Sequence, residues 1–139
     1  MLGLFLSHII GYDIWFYISH RLLHTKYLWW IHKIHHEKKY PTIWDTHFSH
    51  WSESIIQSVG IGLPFLFFEP NWYVFFAAAF FTNTRGYMRH DIRTAWLIGN
   101  HHMLHHEFGN VNYGDYYMDW LFGTLDARPD KRVHGLIRI

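Results

Sequence analysis

From Leu2 to Ile18 the chain is apolar at nearly every position, with His8 and Asp13 as the main breaks before Arg21. A run of that kind suits a helix crossing the hydrocarbon core of a bilayer, which takes roughly 20 residues. The buried core helix of a soluble protein would show the same pattern. Two further apolar runs, Ile55 to Phe68 and Trp72 to Phe81, are separated by Glu69-Pro70-Asn71, where proline and asparagine predict a turn. Each is short for a full span, so the pair reads as a helical hairpin that dips into the bilayer and returns. The expected fold class is all-α: an integral membrane helical bundle formed as one domain over residues 1–139, with no internal repeat or low-complexity linker.

The charges give the bundle an expected orientation. Arg21, Lys26, Lys33, Lys38, Lys39, Arg85, Arg89, Arg93, Arg128, Lys131 and Arg132 all fall outside the apolar runs, and a hairpin returns the chain to one side. The positive-inside rule makes that side cytoplasmic. Trp29, Trp30, Tyr40, Trp44, Trp72 and Tyr73 flank the runs, where amphipathic rings settle at headgroup depth. The N-terminus lacks the positive n-region and the cleavage site of a secretory signal, so it is treated as structure.

Composition narrows the chemistry. The formal charge is +1, without the basic excess expected of a nucleic-acid binder. There is no cysteine, which excludes thiolate zinc sites, iron–sulfur clusters and disulfides, so any metal is held by nitrogen and oxygen. The chain carries 14 histidines, and eight of them fall in three groups: His20-x-x-x-His24, His32-x-x-His35-His36 and His102-x-x-His105-His106. No proline interrupts any group, so each is compatible with a helix, on which residues three and four apart share a face and can grip one ion. The glutamate of an HEXXH protease is absent from all three, which removes a zincin reading.

A lone histidine is ordinarily a surface or satisfied core residue, and that reading suits His8 and His134. Eight crowded imidazoles repel when charged and need partners when neutral and buried; a shared metal centre removes both penalties. Their number exceeds the four ligands of a structural zinc, and imidazole suits iron as well, so two ions are more economical than one. Asp13, Tyr17, His20 and His24 form one stripe of a helix, and Asp13 is a candidate acceptor for the second N–H of an imidazole, or else the partner of an Arg or Lys. Asn112 and Asp119, in NYGDYYMDWLFGT, are further candidates for supporting the ligands; Asn112-Tyr113-Gly114 is equally a turn sequence.

The three ordered boxes HRLLH, HKIHH and HMLHH, with the closing NYG…DWLFGT, resemble the fatty acid hydroxylase and sterol desaturase superfamily of integral membrane di-iron enzymes. The resemblance runs from Tyr12 to Pro129. It implies metal ligands at His20, His24, His32, His35, His36, His102, His105 and His106. It adds His50, whose His50-Trp51-Ser52-Glu53 is similar to an HPxE element lacking its proline, and His90, in the segment ahead of the last box. Gly86 stands where a ligand paired with His90 would fall, leaving His47 and His101 as substitutes. Family members usually carry another membrane hairpin ahead of the first box, so the resemblance also implies a fragment or a minimal member.

The implied activity is hydroxylation or desaturation of an unactivated C–H bond in a membrane lipid, such as a fatty acyl chain or sterol, by dioxygen and a histidine-ligated di-iron centre on the cytoplasmic face. Two iron ions are the implied cofactor, with zinc as a substitute in purified protein. Electrons would come from a separate donor such as cytochrome b5 or ferredoxin with its reductase. The implied location is the endoplasmic reticulum membrane in a eukaryote or the inner membrane in a bacterium. Two other readings stand beside it: a membrane protein that collects or moves zinc, which would place ligands along a path through the bilayer, and a truncated, inactive relative that keeps fold and ions.

Overall fold

A computed structural model describes residues 1–137; the last two positions of the domain expected over 1–139 lie outside the described residues. Among the described residues the chain is helical without a strand: α1 (Leu2–Leu23), α2 (Trp29–His32), α3 (Trp51–Gly62), α4 (Trp72–Arg89), α5 (Ala95–Ile98), α6 (His101–Phe108) and α7 (Tyr116–Leu121). The long α1 is the spine, with α3 and α4 packed along it and α7 near its C-terminal half.

The α1–α3 contact is tight because Gly60 has no side chain. A Cβ there would stand 2.7 Å from the Trp15 Cβ and 2.9 Å from the Tyr12 Cα. Two polar clamps flank this crossing. Trp15 Nε1 donates to the Ile56 carbonyl at 2.6 Å, and His8 Nδ1 meets the Ile61 carbonyl at 2.6 Å, just before Pro64, which has no N–H to offer the preceding turn. The hairpin expected from the two later apolar runs is present. A 3₁₀ turn over Leu63–Leu66 ends the first arm, and the Asn71 side chain caps α4 by accepting from the Val74 N–H at 3.2 Å.

Burial on α1 takes in polar residues as well as apolar ones: His8, Asp13, Ser19 and His20 are buried beside Ile9, Phe16, Tyr17 and Leu23, while Leu2, Leu6, Ile10, Ile14, Ile18 and Leu22 are all exposed. Much of the outer face of the hairpin is likewise apolar, with Ile55, Val59, Phe67, Trp72, Phe76 and Phe80 exposed. Among the described residues α1 alone is long and apolar enough to cross a membrane.

The structure corrects two expectations. The second histidine group does not sit on one helix: α2 ends at His32, and His35–Glu37 form a 3₁₀ turn. Arg85 and Arg89 are not surface charges, because α4 runs on past Phe81 to Arg89 and both guanidinium groups are buried. Arg85 pairs with Asp13 and lies 3.3 Å from Asp115, and Arg89 pairs with Asp115. Each arginine lies opposite a buried carboxylate, as charges withdrawn from water must. Within this helix the Thr82, Asn83 and Thr84 side chains bond the carbonyls one turn back at 2.6–2.9 Å, which satisfies their polar groups inside the helical run.

Candidate metal centre

Four segments meet at the C-terminal end of α1. The last turn of α1 and its cap carry His20 and His24; α2 and the turn after it carry His32, His35 and His36. The C-terminal residue following α4 is His90, and α6 carries His102, His105 and His106. Together they form two groups, His20, His24, His32, His36 and His105 in one and His35, His90, His102 and His106 in the other, with each group's ligand nitrogens within 4.8 Å of one another. The break in the second box distributes its imidazoles, His32 and His36 to the first group and His35 to the second.

The protonation of several rings follows from what their outer nitrogens touch. Nδ1 of His20 faces the Tyr113 carbonyl, His105 the Val111 carbonyl at 2.7 Å, His35 the Phe48 carbonyl at 3.2 Å and His90 the Gly86 carbonyl at 2.8 Å. A carbonyl only accepts, so each Nδ1 bears the proton and each Nε2 presents a lone pair. His32 Nδ1 lies 3.0 Å from a carboxylate oxygen of Glu53, outside hydrogen-bond geometry, and burial pushes that carboxyl up to about 7; its charged form favours a proton on Nδ1.

Those lone pairs face each other. Nε2 of His20 and His32 are 2.9 Å apart in the first group, and Nε2 of His35 and His90 are 3.0 Å apart in the second. His36 to His32, His24 to His105, His105 to His36 and His102 to His90 are all at 3.1 Å. Where both rings carry the proton on Nδ1, as in His35 and His90, the facing lone pairs repel unless a cation sits between them. Among the described residues neither nitrogen of His106 has a hydrogen-bond partner, although both are buried. The donor set therefore fits one metal ion per group. With metal–nitrogen bonds of ~2.1 Å, tetrahedral ligands would stand ~3.4 Å apart and ligands at right angles ~3.0 Å. The close pairs at 2.9–3.1 Å are within the span of two nitrogens bound to one ion.

Burial keeps these rings neutral at pH 7. It pushes His24, His32 and His90 down to about 3 and His36 to about 2, with the neighbouring imidazoles adding to the shift for His24, His90 and His36. His102 and His105 are lowered well below the ordinary value by the same cause. Neutral imidazoles are the form that binds a metal.

Nine of the ten histidines singled out from the sequence lie in the two groups; His50 does not. Its Nδ1 accepts from the Ser52 N–H at the start of α3, and its ring packs against Trp30. His47 meets the Tyr87 hydroxyl, and His101 meets Asp119 at 2.9 Å. Asp13 supports no imidazole: it pairs with Arg85 and accepts from the Tyr117 hydroxyl at 3.1 Å, the second of the two roles open to it. Asn112 donates to the His101 carbonyl and accepts from the Asp126 N–H, so it shapes the loop instead of touching a ring of either group. Asp119 acts at one remove. Its carboxylate collects the Tyr113 and Gly114 N–H groups, both at 2.8 Å, and holds the turn whose carbonyl orients His20.

Sequence reasoning quoted Glu53 in the HPxE-like stretch without giving it a role; it is 2% exposed, and it is the only acid between Asp45 and Glu69. Beside the centre lies a cavity of about 150 Å³ between α1, α3 and α4, reaching His20, His35, His90, His102 and Glu53 at one end and Ile61 and Ala79 at the other.

The fatty acid hydroxylase family matches residues 5–124. A Dictyostelium discoideum protein provisionally named as a methylsterol monooxygenase is 30% identical, over 86% of this chain and 49% of its own length. A very-long-chain aldehyde decarbonylase of Oryza sativa subsp. indica is 31% identical over 92% and 54%, and human lathosterol oxidase 28% identical over 83% and 42%. The chain thus spans about half the length of the curated relatives it matches. No solved structure matches it.

Proposed function

The chain belongs to the fatty acid hydroxylase family, and from that premise we propose that it is an integral membrane oxidoreductase whose histidines hold two iron ions for the O2-dependent oxidation of a C–H bond in a membrane lipid. The observation that carries this reading is the pair of imidazole groups with lone pairs facing each other at 2.9–3.1 Å. When bound, the iron pair supplies redox chemistry: activation of dioxygen and removal of hydrogen from an unactivated carbon, ending in a hydroxyl group or a double bond.

The chain's own residues do the rest. The Tyr113, Val111, Phe48 and Gly86 carbonyls hold the Nδ1 protons of His20, His105, His35 and His90, so those ligand nitrogens need no deprotonation at neutral pH. Phe16 packs on the His20 ring and, with Tyr12, walls the cavity on the α1 side, excluding water from the reacting carbon. The exposed aliphatic stripe of α1 and the apolar outer face of α3 and α4 support the membrane reading, since soluble monomers rarely expose so much contiguous apolar surface. Lys33, Lys38 and Lys39 are exposed at the end of α1 that bears the centre, which supports a cytoplasmic location. In a eukaryote that is the outer face of the endoplasmic reticulum, in a bacterium the inner membrane. Electrons come from a separate carrier, such as cytochrome b5 or ferredoxin with its reductase.

The test is mass spectrometry of lipids from cells expressing the protein or its His35→Ala variant. A new hydroxylated or desaturated lipid that disappears in the variant is expected. Purified protein that binds iron yet oxidises no lipid with any reductase system would overturn the reading.

A further inference from the structure

The short helix α7 carries an apolar surface whose depth the fold fixes. Tyr117, Trp120 and Leu121 share one side of it at i, i+3 and i+4, and with Phe122 at its end they are 44–68% exposed. Nothing charged accompanies them: over residues 116–125 the only ionic side chain is Asp119, which is fully buried. Contacts with α1 set the level of this surface. The Tyr117 hydroxyl donates to Asp13 at 3.1 Å, the Phe122 and Tyr17 rings stack with centroids 4.9 Å apart, and Thr124 Oγ1 meets the Tyr17 hydroxyl at 3.0 Å. Tyr17 and Asp13 stand three and seven residues ahead of His20, about 4–5 and 10–11 Å along α1 toward its apolar run. Their sequence neighbours Ile18 and Ile14 belong to the exposed aliphatic stripe of α1.

We propose that the outer face of α7 is sunk in the acyl layer of the leaflet that bears the metal centre, with lipid chains as its partner. The inference rests on the membrane reading above and extends it to a segment far too short to announce itself as apolar in sequence. Arg21 marks the upper edge of the patch. It is exposed one turn beyond Tyr17, where its Nη1 donates to the Tyr17 hydroxyl at 3.2 Å, and a guanidinium there meets phosphate at headgroup depth. Below that edge, water would have to cover Trp120, Leu121 and Phe122 beside Ile14 and Ile18, whereas acyl chains remove the cost. A second copy of the chain fits this face less well. Four side chains of ~150–250 Å² each, about half exposed, present roughly 300–600 Å², short of the ~800 Å² that each partner of a stable complex buries. Lipid contact also bears on the site, because the inner side of α7 carries Asp119, which holds the turn whose carbonyl orients His20.

Because the chain has no cysteine, a single one can be introduced and labelled without removing others. Trp120→Cys and Leu121→Cys each carry a nitroxide spin label in the full chain, loaded with zinc and reconstituted in lipid nanodiscs. Ile18→Cys serves as the lipid-facing reference and Lys38→Cys, at an exposed position, as the water-facing one. Relaxation of each label by dissolved oxygen, which concentrates among acyl chains, is compared with relaxation by a water-soluble nickel chelate. Labels at 120 and 121 should lose the nickel effect seen at 38 and gain the oxygen effect seen at 18. Circular dichroism and retained zinc check that the variants are folded, and either of the two α7 positions alone suffices for the comparison. A label at 18 in lipid, with those at 120 and 121 open to the nickel chelate, overturns this proposal and leaves the membrane reading standing. Nickel access at 18 as well overturns both. Protection of 120 and 121 from both reagents means that protein covers α7 and also overturns the proposal; spin–spin broadening would identify that protein as a second copy.

Discussion

Glu53 offers the sharpest test of how the imidazoles are held. It is 2% exposed, His32 is fully buried, and the carboxylate oxygen and Nδ1 are 3.0 Å apart. In Glu53→Ala the buried His32 ring loses the carboxyl group that faces its Nδ1. A buried donor left unsatisfied costs about 1–3 kcal/mol, and the ring becomes free to rotate or to move its proton to Nε2, the atom aimed at the metal. Converted at 1.4 kcal/mol per tenfold, the loss amounts to roughly 5- to 150-fold in metal affinity for the five-histidine group, in line with the ~10–100-fold typical when a residue supporting a metal ligand is removed. Burial pushes Glu53 up to about 7, so it is only partly charged near neutral pH; Glu53→Gln keeps an accepting oxygen and should fall between parent and alanine variant. The assay is anaerobic titration of metal-free protein with ferrous ion, read by calorimetry and by bound metal after desalting. A folded Glu53→Ala protein whose affinity stays within about twofold of the parent would refute the idea that this carboxylate sets the His32 tautomer.

Three more outcomes follow from the same geometry. His50→Ala should lower thermal stability by about 1 kcal/mol through loss of the α3 cap while leaving bound metal unchanged; a lost ion would put His50 back among the ligands. Asp13→Ala leaves the Arg85 guanidinium with one carboxylate, Asp115, in place of two, and should destabilise the protein by about 3–5 kcal/mol, whereas Asp13→Leu combined with Arg85→Met should recover much of that loss; equal melting temperatures for the single and double variants would count against the pair. Metal-free protein should lose stability on acidification. His32 and His90 titrate near 6.5 when unfolded and about 3 when folded, so between those values the unfolded chain binds protons that the native one refuses. From pH 7 to 5.5 this costs about 1.3 kcal/mol for each ring, measurable as a falling urea midpoint; a midpoint that rises with acid would contradict it.

The apolar runs and the Pro70-Asn71 turn were legible because burial in a bilayer or core writes itself into long apolar stretches and hairpin turns need particular residues. The histidine groups were legible as spacing, since i, i+3 and i+4 neighbours share a face wherever the backbone is helical. What spacing cannot express is the meeting of distant segments. His90 joins His35 and His102 only because α4 ends beside α6, and Glu53 meets His32 only because α3 returns along α1. Arg85 and Arg89 looked like surface charges because their carboxylate partners, Asp13 and Asp115, are remote in sequence. His50 looked like a ligand because a resemblance carries residue types across, whereas its ring had a nearer use, capping the first turn of α3.

The central claim is that nine imidazoles from four segments close on two cations. Diffraction from crystals of the iron-loaded protein on either side of the iron absorption edge tests it directly. The account predicts two anomalous peaks, one enclosed by His20, His24, His32, His36 and His105 and the other by His35, His90, His102 and His106. A single peak, or peaks coordinated by His47, His50 or His101 in place of these groups, would contradict it.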